Sequence, residues 1–350
     1  MIRNGYMTDH TPPRDADANV DSSAPEGAGD PHQATRRRLL TVVGAGSAAF
    51  LAGCIGGDDE IDDTAGPNHP DDADANGGSD DDDGNEESTL DDLREAIAEY
   101  EDVSVAIDAG YRNTVEYVES PDGGTGIHFI NEEIRDLCPI DPNVLVYDLT
   151  DDGMYELLAA KWVVPASAFD EAPELFGQLF DGPHDPTGDG DQYDLHAWVL
   201  EENPEGTFAP FNPDVSPPDY IEDLNAAYAS LQAYSAVSDA VDAGYEPQGE
   251  CVESSDGGMG VRYIHPEVDG LDPAEPQGLL FGCTDDDARL FAAEWLIPAG
   301  DVDEPPVLFG QEFDGPHDPN GEGDQYDLHV WLAETNPAGL FAPFNPRVEC

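Results

Sequence analysis

Residues 182–213 read GPHDPTGDGDQYDLHAWVLEENPEGTFAPFNP, and residues 315–346 read GPHDPNGEGDQYDLHVWLAETNPAGLFAPFNP. A phrase this long, kept with two histidines and a tryptophan in register, points to a structural unit that has been copied. Working outward, Asp108-Ala109-Gly110-Tyr111 aligns with Asp242-Ala243-Gly244-Tyr245, and Trp162 aligns with Trp295. The two matches differ in offset by one residue, so a single gap carries the alignment through both copies. All 4 tryptophans fall into pairs, Trp162 with Trp295 and Trp198 with Trp331. The expectation is two tandem duplicated modules, residues 89–217 and 218–350, since a period this long means a repeated domain and not a solenoid.

Each module opens with helical periodicity. Leu90, Leu93, Ile97, Tyr100, Val103 and Ile107 fall on one face, mirrored by Leu224, Ala227, Leu231, Tyr234, Val237 and Val241. Ser88 with Asp91 reads as a capping box, and Gly110 and Gly244 stand where a helix end wants positive φ. The pattern then shortens to strand length in TGIHFI (125–130), NVLVYDL (143–149), ELLAAKWVVP (156–165), LFGQLF (175–180) and YDLHAWVL (193–200). The fold class expected is α+β, each module a long N-terminal helix, continuous or broken, packed on an antiparallel sheet of about five strands.

Among the 350 residues, 78 are Asp or Glu and 12 are Lys or Arg, a formal net charge of -66. Phosphate backbones need a cationic surface, so nucleic acid is excluded as a partner. Disorder is excluded for the modules, because 39% of residues are hydrophobic, with 13 Phe and 13 Tyr in patterned blocks. Self-repulsion of this size is tolerated in molar salt, where screening acts over about 3 Å. Lys161 is the one lysine of the chain. The composition as a whole resembles that of extreme halophiles, particularly haloarchaea.

Arg36, Arg37 and Arg38 precede an apolar run of about 15 residues, short of the roughly 20 that span a bilayer and suited to a signal-peptide core. TRRRLL at 35–40 resembles the twin-arginine export signal, and LAGC at 51–54 resembles a lipobox whose cysteine becomes lipid-modified. The resemblance implies a signal peptide over 1–53, with Met7 or a later residue as an alternative start, and a lipid on Cys54. The expected location is outside the cell, anchored to the outer face of the cytoplasmic membrane. An uncleaved membrane anchor is the other reading and puts the protein in the same place. Residues 54–88 are nearly all Gly, Asp, Glu, Asn and Pro, an acidic tether without core-forming residues.

Cys251 and Cys350 bracket the strand region of module two, and the aligned positions in module one are Tyr117 and Pro217. Two cysteines absent together predict a disulfide between them, allowed outside the cytoplasm. Closing a loop of about 100 residues contributes about 4–5 kcal/mol in the chain-entropy picture. Cys138 and Cys283 do not align; they either pair between modules or remain buried thiols.

Alternation in DLHAW puts His196 with Trp198 on one strand face and Leu195 with Ala197 on the other; His329 and Trp331 repeat this. If the aliphatic face is the core, His and Trp line the opposite surface. The other polar positions within apolar runs are His128, Lys161 and Gln178, whose counterparts are Arg262, Glu294 and Gln311. Two histidines and a carboxylate from three strands make a transition-metal site. Neither module holds the whole set, so the candidate metal ligands are His128, His196, Glu294 and His329 meeting across the modules, with Arg262 and Glu294 as an ion pair otherwise. A structural role for these histidines, or an organic ligand bound by them, is the competing reading.

The quoted phrase also holds Asp185, Thr187, Asp189 and Gly190, matched by Asp318, Asn320, Glu322 and Gly323. Oxygen ligands at positions 1, 3 and 5 with glycine at 6 form the first half of a calcium loop. Asp191 with Asp194, or Asp324 with Asp327, would complete the shell; an acidic solvated loop is the plain alternative. No nucleophile elbow, P-loop, dinucleotide fingerprint or Cys-x-x-Cys stands in the modules.

The run of G-x-H-[FY], LFGQ, LHxW and a closing NPxGxFxxFNP resembles exported bacterial and archaeal proteins of uncharacterised function. The resemblance covers both modules and implies no reaction; Lys161 and Arg262 depart from its pattern. The leading expectation is a lipid-anchored extracytoplasmic protein with a binding or structural role at the cell surface. The alternatives are a metal-dependent enzyme with a histidine and carboxylate site, and a calcium-stiffened interaction module.

Overall fold

The computed structural model describes residues 88–185, 190–282, 289–318 and 323–350. Arg36, Arg37, Arg38, Cys54 and Cys283 lie outside the described residues, as do Thr187, Asp189, Asn320 and Glu322 of the acidic loops. Among the described residues no helix is long and apolar enough to cross a membrane.

The expected long helix is two short ones. α1 (Leu90–Ile97) passes through a 3-10 turn into α2 (Val103–Asp108). Asp102 restarts the helix by accepting the Ser104 backbone N–H at 3.0 Å, and such a cap competes with continuous helix. In the second half, α3 (Ile221–Leu231) and α4 (Val237–Ala243) are split at the corresponding place. The N-terminal box also sits one residue later than expected: Thr89 caps α1, and its N–H donates to Asp92 at 2.6 Å. Gly110 and Gly244, at φ +101° and +106°, supply the left-handed turn out of the helices.

Strand outweighs helix, 38% against 17%, and every sheet is antiparallel. The first half contributes β1 (Arg112–Ser120), β2 (Gly123–Ile130), β3 (Val144–Leu149), β4 (Tyr155–Pro165), β5 (Glu174–Leu175), β6 (Gln178–Leu179), β7 (Asp181–His184) and β8 (Gln192–Ala197). The second contributes β9 (Glu246–Ser254), β10 (Gly257–Ile264), β11 (Gly278–Phe281), β12 (Leu290–Pro298), β13 (Val307–Leu308), β14 (Gln311–Glu312), β15 (Asp314–His317) and β16 (Gln325–Val330).

Six strands, not five, form each main sheet, in the order β1-β2-β3-β4-β8-β7 and, read the same way, β9-β10-β11-β12-β16-β15. LFGQLF is not a strand of its sheet but a small ribbon, β5 with β6, because positive φ at Phe176 and Gly177 folds it back on itself.

One face of each sheet carries Phe129, Leu145, Trp162 and Leu195, or Leu279, Trp295, Leu328 and Val330, all in a buried cluster with Leu93, Ile97, Ala106 and Leu224 from the helices. The Tyr147 hydroxyl donates to the Tyr100 carbonyl at 2.6 Å and ties the helical segment down. Burial of each such large side chain contributes about 1.5–3 kcal/mol. That cluster is continuous through both halves. They also meet at the β3–β4 turn, where Leu340 N–H donates to Gly153 O at 2.8 Å and the Tyr220 hydroxyl to Thr150 O at 2.7 Å. Cys251 and Cys350 are bonded, with Cα atoms 5.6 Å apart. Cys138 is also disulfide-bonded, so it is no buried thiol.

Candidate functional site

The face opposite the helices is built by strand alternation. On β8, Asp194 and His196 point one way and Leu195 and Ala197 the other; on β16, Asp327 and His329 oppose Leu328 and Val330. Cross-strand pairing sets Lys161 of β4 against His196, and Glu294 of β12 against His329. His128 of β2 and Arg262 of β10 complete the two rows.

This face is not open surface. His196 and Trp198 are each 4% exposed, and His329 and Trp331 are 2% and 1%. The cover is the closing NPxGxFAPFNP of the opening phrase, which folds back as a strap. Trp198 donates its N–H to Thr207 O at 2.8 Å and its indole N–H to Ala209 O at 2.7 Å. Trp331 repeats this with Leu340 at 2.9 Å and Ala342 at 2.6 Å. Two buried asparagines clamp each strap, Asn203 to Phe211 O and Asn212 to Glu202 O, then Asn336 to Phe344 O and Asn345 to Thr335 O.

Glycine is required where the strap crosses the sheet. A Cβ on Gly123 or Gly257 would stand 2.2 Å from the Asn212 or Asn345 carbonyl oxygen, and both glycines hold positive φ. The repeated phrase is therefore first of all a strand and the lid that seals it.

Under the first strap, Asp194 is the hub. Its Oδ2 lies 2.9 Å from Lys161 Nζ and 3.6 Å from His196 Nδ1, and its Oδ1 lies 2.8 Å from His184 Nε2. The His128 and His196 rings are 6.4 Å apart, and Thr125 Oγ1 is 3.2 Å from His128 Nε2. Burial, then the Lys161 ammonium, pushes both His128 and His196 well below the ordinary histidine value. His184, at 44% side-chain exposure, stands at the edge.

Under the second strap the charges are rearranged. Arg262 Nη2 pairs with Glu294 Oε1 at 2.5 Å, the ion pair expected of these residues. His329 lies between two carboxylates, Nε2 at 3.4 Å from Glu294 Oε1 and Nδ1 at 3.3 Å from Asp327 Oδ2. Burial works against its charged form, but Glu294 and Asp327 outweigh burial and raise it. Burial raises Glu294 less than Arg262 and His329 lower it, so its carboxyl stays below its usual value. Asp327 is raised, by burial first and also by Glu294. His317, half-exposed on β15, touches Asp327 Oδ1.

The expected four-residue set across the modules does not assemble. His128 approaches His196 within the first sheet, and Glu294 approaches His329 within the second. Among the described residues, the group whose ligand atoms lie within 4.8 Å of one another is Glu294, Asp327 and His329. Asp194 and Asp327, offered by the sequence to complete the calcium loops, stand in the histidine clusters. Alternation with His196 and His329 on their own strands is the signal that marks them.

Of the loop acids that are described, Asp185 accepts the Gly190 N–H at 3.3 Å. The Asp191 and Asp324 carbonyls each accept the backbone N–H of the residue just after β4 or β12, Ala166 and Ala299, both at 2.9 Å. No family model, curated protein or solved structure matches the chain.

Proposed function

We propose that the chain is an exported protein of a high-salt organism, held to the outer face of the cytoplasmic membrane through a lipid on Cys54, with a binding or structural role there. Its described part is read as two copies of one strapped sheet. The common strand order, the matched asparagine clamps and the paired close approaches of Gly123 and Gly257 support the duplication. The twin-arginine and lipobox resemblances support the location, and the charge of -66 supports the solvent.

One observation carries the choice of a binding or structural role over catalysis. The histidine and tryptophan face that the repeat keeps so closely lies under its strap, and Lys161 and Arg262 already stand against its carboxylates. What the first half leaves open is outside the strap: a groove of about 700 Å³ between the β1–β2 turn at Glu119–Gly124 and strap residues Pro210–Pro217. Open, acid-rimmed and without a converging set of catalytic groups, it suits contact with a partner.

Fractionating cells grown in molar salt tests the proposal. The intact chain should sediment with membranes and react with a membrane-impermeant carboxyl reagent, and Cys54→Ser should move to the medium. Retention of Cys54→Ser in the membrane, or protection of the intact chain from the reagent in whole cells, overturns it.

A further inference from the structure

We propose that the cluster beneath the second strap binds one divalent first-row transition cation through Glu294, Asp327 and His329, with His317 as the ligand at its mouth. The starting point is a buried, under-satisfied cluster: Glu294 Oε2 has no hydrogen-bond partner, His329 Nε2 reaches Glu294 Oε1 at 3.4 Å without forming a well-directed bond, and Asp327 Oδ1 meets the half-exposed His317. Glu294, His329 and Asp327 are 0%, 2% and 4% exposed. Buried polar groups left short of partners are costly, so the cluster calls for a ligand that satisfies its members at once. Donor atoms of the three side chains already lie within 4.8 Å of one another, close enough for a single ion to draw them in.

The charges agree with a cation. Under the first strap one carboxylate, Asp194, faces one ammonium, Lys161; under the second, Glu294 and Asp327 face the single guanidinium of Arg262. Arg262 holds Glu294 by Oε1, the same oxygen that faces His329 Nε2 at 3.4 Å, the arrangement by which an outer partner orients a ligand. Gly278 leaves room for the Glu294 carboxylate beside it, since a Cβ there would stand 2.8 Å from Glu294 Oε2. His317, 45% exposed and touching Asp327, gives the ion a route from solvent.

Mixed imidazole and carboxylate donors suit zinc, manganese or ferrous iron, whereas calcium takes oxygen alone. In the first sheet Lys161 replaces the central carboxylate, so the site is confined to the second. The site is independent of the proposed cellular location.

The experiment uses the full chain in molar KCl, with excess Mg²⁺ to occupy the acidic surface, dialysed against Zn²⁺ or, as a spectroscopic probe, Co²⁺. The expected result is one zinc per chain, lost in Glu294→Gln and His329→Gln and kept in His196→Gln, with cobalt absorption bands of nitrogen and oxygen coordination that follow the same pattern. Near-ultraviolet circular dichroism shows which variants are folded. If the two buried variants unfold, His317→Gln, at the rim, should weaken binding at least tenfold. Folded wild-type chain without stoichiometric zinc, zinc unaffected by His317→Gln, or zinc lost from His196→Gln as readily as from His329→Gln overturns the site.

Discussion

The two straps cover opposite solutions to one problem of burial. Where the first sheet has Lys161 facing His196, the second has Glu294 facing His329. Where the first has His128, the second has Arg262. Asp194 and Asp327 keep the same place, while the cation moves from β4 to β10, the counterpart of β2, and a second carboxylate takes its former position on β12. The consequence is electrostatic: the first cluster keeps His128 and His196 neutral, and the second favours a charged His329. A common frame can therefore hold two different sites, provided each buried charge keeps a partner.

The comparison breaks most severely where one partner is removed. Glu294→Ala strands the Arg262 guanidinium in the interior and should cost about 3–5 kcal/mol, measured by chemical denaturation in molar KCl. Lys161→Met should cost less, about 1–3 kcal/mol, because Asp194 keeps His184 at 2.8 Å. Equal losses would mean the two clusters are electrostatically alike after all.

Next in size is the covalent difference. Cys251→Ser with Cys350→Ser should cost about 2–5 kcal/mol, a bond that the first half has no counterpart for. Where the halves are the same the effects should be too: Gly123→Ala and Gly257→Ala each collide with a strap carbonyl and should each cost about 1–3 kcal/mol. A loss in one alone would show that the straps are not equivalent.

The smallest effect concerns pH. Because the folded values of His128 and His196 lie below 6.5, their neutral forms stabilise the fold fully above that value. That stability is lost as pH falls below about 6.5 toward the folded values, at up to about 1.4 kcal/mol per pH unit for each histidine. Replacing His196 with Gln should flatten the fall in stability between pH 7 and pH 5, followed by denaturant midpoints. A slope unchanged from wild type would show that His196 is already charged in the folded protein.

Much of this frame was legible in the residues. The tandem phrase located β8 and β16, the absent pair at Tyr117 and Pro217 foretold the bond between Cys251 and Cys350, and aliphatic alternation identified the inner face. β1 and β7 were not legible, because Arg112–Ser120 is largely polar and Asp181–His184 carries glycine and proline, signals that ordinarily argue against strand. The helix break at Asp102 was hidden by apolar spacing that runs straight through it. At the site, His and Trp read as surface because nothing local says that NPxGxFAPFNP returns to cover them; that contact joins residues far apart in sequence, such as Gly124 and Asn212. Asp194 was visible but read with its loop neighbours, although strand period two assigns it to His196.

The strap has a consequence for the order of events in folding. It is the last stretch of its own half, and it rests on a hairpin made near the beginning, so neither cluster can be shut until its sheet stands complete. Trp198 and Trp331, each hydrogen-bonded through the indole to its strap, would then change their fluorescence at the final step of assembly.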